Sequence, residues 1–427
     1  MSGAAVAVRA SARFTGRGAI AVFLIFAFSY FISALVRGVT ATLAPRFTAE
    51  LGLTAGDLGL LGGAFFLGFA TTQLPLGRAL DRIGPKRVQL GFLAVAVLGS
   101  AAFALARDFL GLALARALIG VGVSACLMAP LTAFRRSFDT VAQLRANSWM
   151  LMSGSVGMVA STLPVQWLLP VLGWRGLFWA IAGWMLLSML AIARFVPADA
   201  PAANHATAPG ADRAANSGYA EVWRHPTFLR LAPMGFFHYG GLVAVQSLWA
   251  GPWLIEVCGW TAPQAAQGLF AVNMAMLLSF MAWGSFVPRL YARGWSAQRL
   301  IAAGAPLSLV ALGLAIWLGP AAGAWVWVLF CVGCSVVSLS QPAVGLALPA
   351  ALAGRALSAY NLVIFLGVFC LQWGIGVAID LLRAAGWDTL SAYRGGFALL
   401  LACCVSSYVW FLCRAEPSLA AKPHSAA

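Results

Sequence analysis

The chain has 427 residues, of which 62% are hydrophobic and only 9% are charged. A mean hydropathy of +0.88 lies far outside the range of soluble globular domains, so the composition indicates a membrane protein. This class also accounts for the net charge of +15, which in a soluble protein would suggest nucleic-acid binding.

Long apolar runs predict membrane-spanning helices, because a helix needs about 20 mostly apolar residues to cross the hydrocarbon core. The chain begins with a predicted tail over 1–18. The first half, 19–196, holds six such runs, at 19–43, 58–76, 88–107, 109–134, 148–170 and 175–196. Short charged or Pro/Gly-containing turns separate them.

The composition changes over 197–228, where Ala, Pro, Asn and charged residues predict a flexible linker. Six further runs fill the second half, 229–413, at 229–256, 264–286, 297–319, 323–350, 357–382 and 391–413. A tail over 414–427 ends the chain. The sequence therefore predicts an all-α polytopic membrane protein of twelve transmembrane helices in two six-helix pseudo-repeats.

The positions of Lys and Arg predict the orientation. With both termini and the linker in the cytoplasm, most of the 27 basic residues lie in cytoplasmic tails and loops. The loops of the other side receive only Arg46, Arg107, Arg175, Arg383 and Arg394. The positive-inside rule then predicts cytoplasmic termini in a bacterial inner membrane, with lipids rather than nucleic acid as the surrounding partner.

The turn after the second run, GRALDRIGPKRV, gathers charge in an ordered pattern. Its members are Gly77, Asp81, Arg82, Gly84, Lys86 and Arg87. The two glycines allow a tight turn and a close helix approach, and the carboxylate can face the arginines. The pattern resembles the signature loop of the major facilitator superfamily, G-x-x-x-D-R-x-G-x-K/R-R/K.

Two further features extend this resemblance. The fourth run carries R-x-x-x-G-x-G, beginning at Arg116 and continuing with Gly120. The second half holds a weaker copy of the loop, GSFVPRLYARG, which begins at Gly284 and has Pro288 in place of the Asp. Such echoes are expected when two repeats enclose a site near the membrane midplane.

The resemblance implies a secondary transporter rather than an enzyme. It implies alternation between inward-open and outward-open states, with Asp81 and Arg82 in a charge network that latches the cytoplasmic side. The partners it implies are a small-molecule substrate and a coupling ion, and we expect a monomer without a cofactor or a bound metal. The substrate is then expected in a cavity elsewhere.

Polar side chains inside the apolar runs indicate where that cavity lies. Arg37 shares a helix face with Tyr30 and Ser33 in span one, and Arg116 enters span four at a similar depth. Because the predicted helical runs of the first half contain no Asp or Glu, an anionic substrate group is a partner for both arginines. Alternatively, Arg37 snorkels to the outer interface and Arg116 has a structural role at a helix crossing.

The second half contributes neutral polar groups. Gly240, Gly241, Gly251 and Pro252 predict a broken helix in span seven, which is tolerated where a helix lines a cavity. The predicted substrate-binding residues of this half are His238, Gln246, Trp249, Asn273, Gln341, Asn361 and Gln372. Each Asn or Gln is alternatively an interhelical contact.

A small organic anion is the substrate that these residues predict. The anion-handling branches of the superfamily also carry an Arg in span one, but the phosphate-handling members pair it with an Arg in span seven that is missing here. Efflux of drugs or metabolites is the alternative. Copper uptake through Met234 and His238 is a minor one.

Overall fold

A computed structural model describes residues 17–138, 140–197 and 219–414, which form helices and turns without a β-strand. The helices of the first half are α1 Arg17–Leu51, α2 Ala55–Thr71, α3 Gln73–Arg82, α4 Pro85–Leu105, α5 Phe109–Val123, α6 Ala125–Ser137, α7 Thr140–Ala160 and α8 Leu163–Phe195. Those of the second half are α9 Pro226–Val257, α10 Ala262–Ala292, α11 Ala297–Leu318, α12 Gly323–Ser335, α13 Ser340–Ala347, α14 Ala350–Ala384 and α15 Thr389–Cys413.

The helices have the lengths that a membrane requires. Within the described residues, nine helical runs are long and apolar enough to span it, and the pair α2 and α3, bent by 42°, makes a tenth. The predicted all-α membrane fold is confirmed. The number of twelve stays a prediction, because the run Ala297–Ala347 covers two predicted spans and the fifth predicted span is divided between α7 and α8.

Local signals in the sequence explain where several helices begin. The Thr54 side chain accepts a hydrogen bond from the Asp57 amide, and the Asp57 carboxylate accepts one from the Thr54 amide, which forms a capping box before α2. Asp108 accepts from the Gly111 amide at the start of α5. Gly84 adopts φ 95°, so the turn before α4 needs the glycine that the loop pattern supplies there.

The first-half helices contain carboxylates that the sequence did not place there. Helix α1 continues to Leu51 and includes Glu50, whose carboxylate accepts a hydrogen bond from Trp174 Nε1 at 2.6 Å and pairs with Arg175. Asp57 lies in the first turn of α2 and Asp81 near the end of α3. The predicted end of span one at 43 is therefore too early, whereas the predicted apolar runs of this half contain no Asp or Glu, and all three carboxylates lie near helix ends.

The predicted break in span seven is also wrong. Helix α9 continues throughout, and its irregularity consists of three π-helical stretches, Met234–Tyr239, Val245–Trp249 and Trp253–Val257. Its glycines serve close packing instead. A Cβ on Gly251 would lie 2.7 Å from the Ala41 carbonyl oxygen of α1, and one on Gly240 would lie 3.1 Å from the Gly367 backbone of α14.

The predicted linker, 197–228, is only partly described, since residues 198–218 lie outside the described ranges. Its end is helical over 219–224 and again from Pro226, where α9 begins. Val222 is fully buried, and the Trp223 ring lies 5.0 Å from that of Phe228. These apolar side chains explain why the end of the segment packs on the second half.

The two halves meet along two seams that position the site. Helix α2 lies against α14, and α1 lies against α9. Gly56, Gly59, Gly63 and Gly376 line the first seam and Gly251 lies in the second, so helix backbones approach closely in both.

Candidate functional site

A cavity of about 170 Å³ lies between the two halves. Its lining comes from helices of both halves, with aromatic and aliphatic walls. The polar lining residues are Tyr30, Arg37, Gln73, Ser124, Tyr239, Gln341 and Asn361. Among the described residues that line it, Arg37 alone carries a charge.

Arg37 presents its guanidinium to this cavity. The guanidinium carbon lies 5.6 Å from the centre of the Phe69 ring, and the described residues offer the buried Nε no hydrogen-bond partner. Tyr30, two turns earlier on α1, interacts with it, and Tyr239 of α9 lies within electrostatic reach of both. The arrangement is a cation that has one N–H without a partner among the described residues and lies near two phenol groups.

Arg116 occupies a different environment, outside the cavity lining. It is 1% exposed, it donates a hydrogen bond from Nη2 to Thr40 Oγ1, and its guanidinium carbon lies 5.0 Å from the Phe65 ring centre. A Cβ on Gly120, one turn further along α5, would lie 1.9 Å from the Phe65 carbonyl oxygen. The contacts of Arg116 are those of a residue within a tightly packed helix crossing.

Four of the predicted substrate-binding residues of the second half pair with one another or with backbone. Gln246 Nε2 donates to Asn273 Oδ1 at 2.9 Å, and Asn273 Nδ2 donates to the Leu269 carbonyl. Trp249 Nε1 donates to the Gln372 carbonyl at 3.0 Å. All four lie outside the cavity lining.

Two further predicted residues, His238 and Ser33, are buried in helix packing. His238 Nδ1 lies 3.0 Å from Ser407 Oγ of α15, and Ser33 Oγ lies 3.5 Å from the Val123 carbonyl. Met234 Sδ lies 3.8 Å from the same serine oxygen, which places it near His238. No group of three or more His, Cys, Asp or Glu side chains able to hold a metal ion occurs in the described ranges.

The cavity thus brings together Tyr30, Arg37, Gln341 and Asn361 of the predicted site. It also contains residues that the sequence analysis missed, namely Phe69, Gln73, Tyr239 and Phe365. The Phe69 and Phe365 ring centres are 4.4 Å apart, so each half contributes one ring to the same wall. Tyr239 directly follows His238, and its polar hydroxyl inside an apolar run was a signal that could have found it.

The charged loop between α3 and α4 lies beside the end of α8. Lys86 Nζ donates to the Ala193 carbonyl at 2.8 Å and to the Val196 carbonyl at 2.5 Å, which ties the loop to the end of α8. A Cβ on Gly77 would lie 3.9 Å from Ser358 Oγ of α14, so the second half is close. Asp81 is exposed, and its role as a latch stays a prediction.

Comparison with known proteins identifies the family. The model of the Major Facilitator Superfamily matches residues 26–371, most of the chain. The protein belongs to the major facilitator superfamily. It is therefore a multi-pass membrane transporter and not an enzyme, as the loop pattern implied.

Three known proteins illustrate the similarity. The chain is 29% identical over 263 residues to the 3-(3-hydroxy-phenyl)propionate transporter of Escherichia coli, which covers 61% of the chain and 60% of that protein. It is 31% identical over 159 residues to a chloramphenicol resistance protein of Streptomyces lividans, and this match covers 37% of the chain and 40% of that protein. The crystal structure of a D-xylose–proton symporter matches with a TM-score of 0.73 at 13% identity, and this match covers 93% of the chain and 98% of the symporter.

The curated similarities are partial. The chain matches 26% to 40% of the length of the first curated relatives. The structural similarity spans nearly the whole chain, but at this identity it shows the fold alone.

Proposed function

We propose that this transporter moves a small organic anion and that Arg37 binds the negatively charged group. The observation that carries the proposal is that Arg37 is the one charged residue among the described residues that line the cavity between the halves. Keeping an arginine inside a membrane costs about 2.5 to 3.5 kcal/mol on translocon scales. A carboxylate or sulfonate that accepts two hydrogen bonds from the guanidinium would offset that cost.

The surroundings of Arg37 favour an anion over a neutral solute. Tyr30 and Tyr239 add hydroxyl donors near the guanidinium, and the described residues place no carboxylate in the cavity lining to compete with a ligand. The E. coli relative is named for an aromatic carboxylate, which agrees with a cation beside the Phe69 ring. The compact volume favours a ligand of one ring or a short chain.

Binding to the intact protein tests the proposal. Thermal unfolding of the detergent-solubilised chain is followed with a panel of carboxylates and sulfonates and with their neutral amides and methyl esters. A ligand at 100 times its Kd should stabilise the protein by about 2.7 kcal/mol. We expect stabilisation by the acids only, and its loss in Arg37→Ala but not in Arg175→Ala, whose guanidinium pairs with Glu50 outside the cavity lining.

Efflux of a neutral compound is the second candidate, favoured by the chloramphenicol resistance protein among the relatives. The same panel separates the two. Equal stabilisation by an acid and its neutral amide would contradict anion recognition and favour efflux. Acid-selective binding that survives Arg37→Ala would contradict the role of Arg37.

We further propose that the protein resides in a bacterial cytoplasmic membrane with both termini inside the cell. The distribution of Lys and Arg supports this orientation. A monomer that alternates between two open states, with a coupling ion, is what the family leads us to expect.

A further inference from the structure

Two Gln–Asn pairs in the second half have similar chemistry but different surroundings. Gln341 of α13 donates from Nε2 to Asn361 Oδ1 of α14 at 2.5 Å, and both residues line the cavity. Gln246 donates to Asn273 at 2.9 Å, and Asn273 is 3% exposed and outside that lining. Only the first pair can meet a molecule that occupies the cavity.

The cavity pair retains unused hydrogen-bonding groups. Each amide carries one acceptor oxygen and two N–H donors, and the single bond between them leaves Gln341 Oε1 and Asn361 Nδ2 open. The described residues supply neither atom with a partner. By contrast, Asn273 Nδ2 already donates to the Leu269 carbonyl.

We infer that the Gln341–Asn361 pair selects anions that carry a second hydrogen-bonding group, such as a hydroxyl. The inference rests on the proposed function, because it takes the negative group to be at Arg37. Because the cavity has a volume of only about 170 Å³ and the pair shares its lining with Arg37, a ligand bound at Arg37 shares that space with the pair. The Phe69 and Phe365 rings of the same lining suit a flat hydrocarbon body, so the expected class is a small hydroxy-carboxylate.

Three pairs of acids that differ by one hydroxyl test this inference. They are benzoate with 4-hydroxybenzoate, 3-phenylpropionate with 3-(3-hydroxyphenyl)propionate, and propionate with lactate. In the wild-type protein we expect the hydroxylated member of at least one pair to bind about two to ten times more tightly, as one net hydrogen bond allows. In Gln341→Met this preference should fall to about one while the affinity for the plain acid changes little.

The matched control is Gln246→Met, which removes an amide of the other pair and should retain the preference. Equal affinities within all three pairs, or a preference that survives Gln341→Met, would overturn the hydroxyl inference alone. Absence of binding by all six acids would overturn the proposed anion function as well. Calorimetric titration of the full-length protein supplies each affinity.

A second inference rests on a separate contact, at the end of the bundle where α2 begins. The Asp380 carboxylate of α14 accepts hydrogen bonds from the first amides of α2, Ala55 N at 3.1 Å and Gly56 N at 2.7 Å. These amides have no partner within their own helix, and the positive end of the helix dipole favours a negative charge there. The bonds join the first half to the second.

The helix backbones beside this contact touch directly. A Cβ on Gly59 would lie 2.3 Å from the Gln372 carbonyl oxygen, and one on Gly376 would lie 2.3 Å from the Ala55 carbonyl oxygen. Because no side chain fits between these two backbones, we expect α2 and α14 either to touch along the whole seam or to separate along all of it. We propose that Asp380 is the charged latch that keeps this end of the transporter closed.

Hydrogen–deuterium exchange of the intact protein tests the latch. In Asp380→Asn, which removes the charge and retains the volume, the amides of 55–63 should exchange at least about tenfold faster, because an amide opens about tenfold more often for each 1.4 kcal/mol lost. Gly59→Ala should have the same effect by steric separation of the same seam. The control is Asp108→Asn, which removes a similar cap bonded to Gly111 within the first half.

We expect Asp108→Asn to accelerate exchange at the start of α5 only. The latch would be overturned if 55–63 stayed protected in both Asp380→Asn and Gly59→Ala. Equal acceleration over the whole chain in Asp380→Asn and Asp108→Asn would also overturn it, since that pattern indicates general destabilisation.

Discussion

Arg37 and Arg116 have similar immediate neighbours and opposite access to the space between the halves. Each guanidinium lies against one phenylalanine of α2, Phe69 for Arg37 and Phe65 for Arg116, and those two rings are themselves stacked at 6.2 Å. Each also has a hydroxyl residue of α1 nearby. Only Arg37 opens into the cavity, whereas Arg116 is sealed.

The difference teaches that depth and polarity do not define a binding residue in a membrane bundle. What distinguishes the two sites is whether the helix face turns toward the other half. The region of Arg116 belongs to the packing of one half, and the region of Arg37 belongs to the boundary between halves. Substitutions in the two regions should therefore separate stability from ligand binding.

The largest effect is expected from removal of each side chain. Arg116→Ala leaves a large void among α1, α2 and α5, so the free energy of unfolding should fall by about 2 to 4 kcal/mol. Arg37→Ala should change it little, because its side chain adjoins a cavity, yet transport should fall at least about a hundredfold. Thermal unfolding and uptake into proteoliposomes measure the two outcomes. A stable Arg116→Ala protein without transport would reverse the assignment.

Two glycine substitutions should also separate stability in the Arg116 region from ligand binding in the Arg37 region. In Gly120→Ala the new methyl group would lie 1.9 Å from the Phe65 carbonyl oxygen, and backbone cannot yield easily, so unfolding should become easier by about 1 to 3 kcal/mol. In Gly154→Ala it would lie 2.3 Å from a ring carbon of Tyr30, which can rotate. Anion affinity should then fall with little loss of stability. Equal melting temperatures for both variants would contradict this.

Removal of one hydroxyl on each side should give smaller effects. Thr40→Val takes away the acceptor for Arg116 and should cost about 1.5 kcal/mol of stability, as for a hydrogen bond to a charged group. Tyr30→Phe should instead weaken anion binding by about three- to tenfold. Thr42→Val is the control, since Thr42 donates only to the Ser161 carbonyl at 2.8 Å. Denaturation curves measure the stability of the three variants, and titration curves measure their anion affinity.

The smallest effect is expected for a third arginine, which belongs to neither region. Arg175 pairs with Glu50, and both side chains are about two-fifths exposed, at 40% and 43%. Exposed pairs contribute roughly 0 to 1 kcal/mol, so Arg175→Gln should change stability within that range and leave anion affinity unaltered. A loss of binding in this variant would mean that charge at the bundle end, rather than in the cavity, attracts the ligand.

The sequence predicted the family and the helical fold well, because both can be recognised from local sequence patterns. Apolar runs of sufficient length leave a membrane chain few alternatives to helices, and the loop from Gly77 to Arg87 has a specific spacing. The boundary of α1 was misjudged because its last residues are polar but still helical, with Glu50 satisfied by Trp174 on another helix. Such a partner is invisible in the local sequence.

The cavity was only partly predictable, for a related reason. A polar residue in an apolar run signals that something satisfies it but not what does. Trp249 and Asn273 proved to bond with backbone carbonyls, and only Tyr30, Arg37, Gln341 and Asn361 of the candidates face the shared space. Distinguishing these cases requires knowledge of helix rotation, which one sequence does not contain.

The three wide turns in α9 alter how that helix can be probed. A π-helical turn holds more residues than the usual 3.6, so each stretch delays the return of a side chain to the same face. A cysteine scan from 234 to 257 should therefore show reactivity maxima spaced by more than about 3.6 residues, whereas a scan of the regular helix α10 should keep the ordinary spacing. A helical wheel drawn for α9 with a constant angle would assign its two ends to the wrong faces.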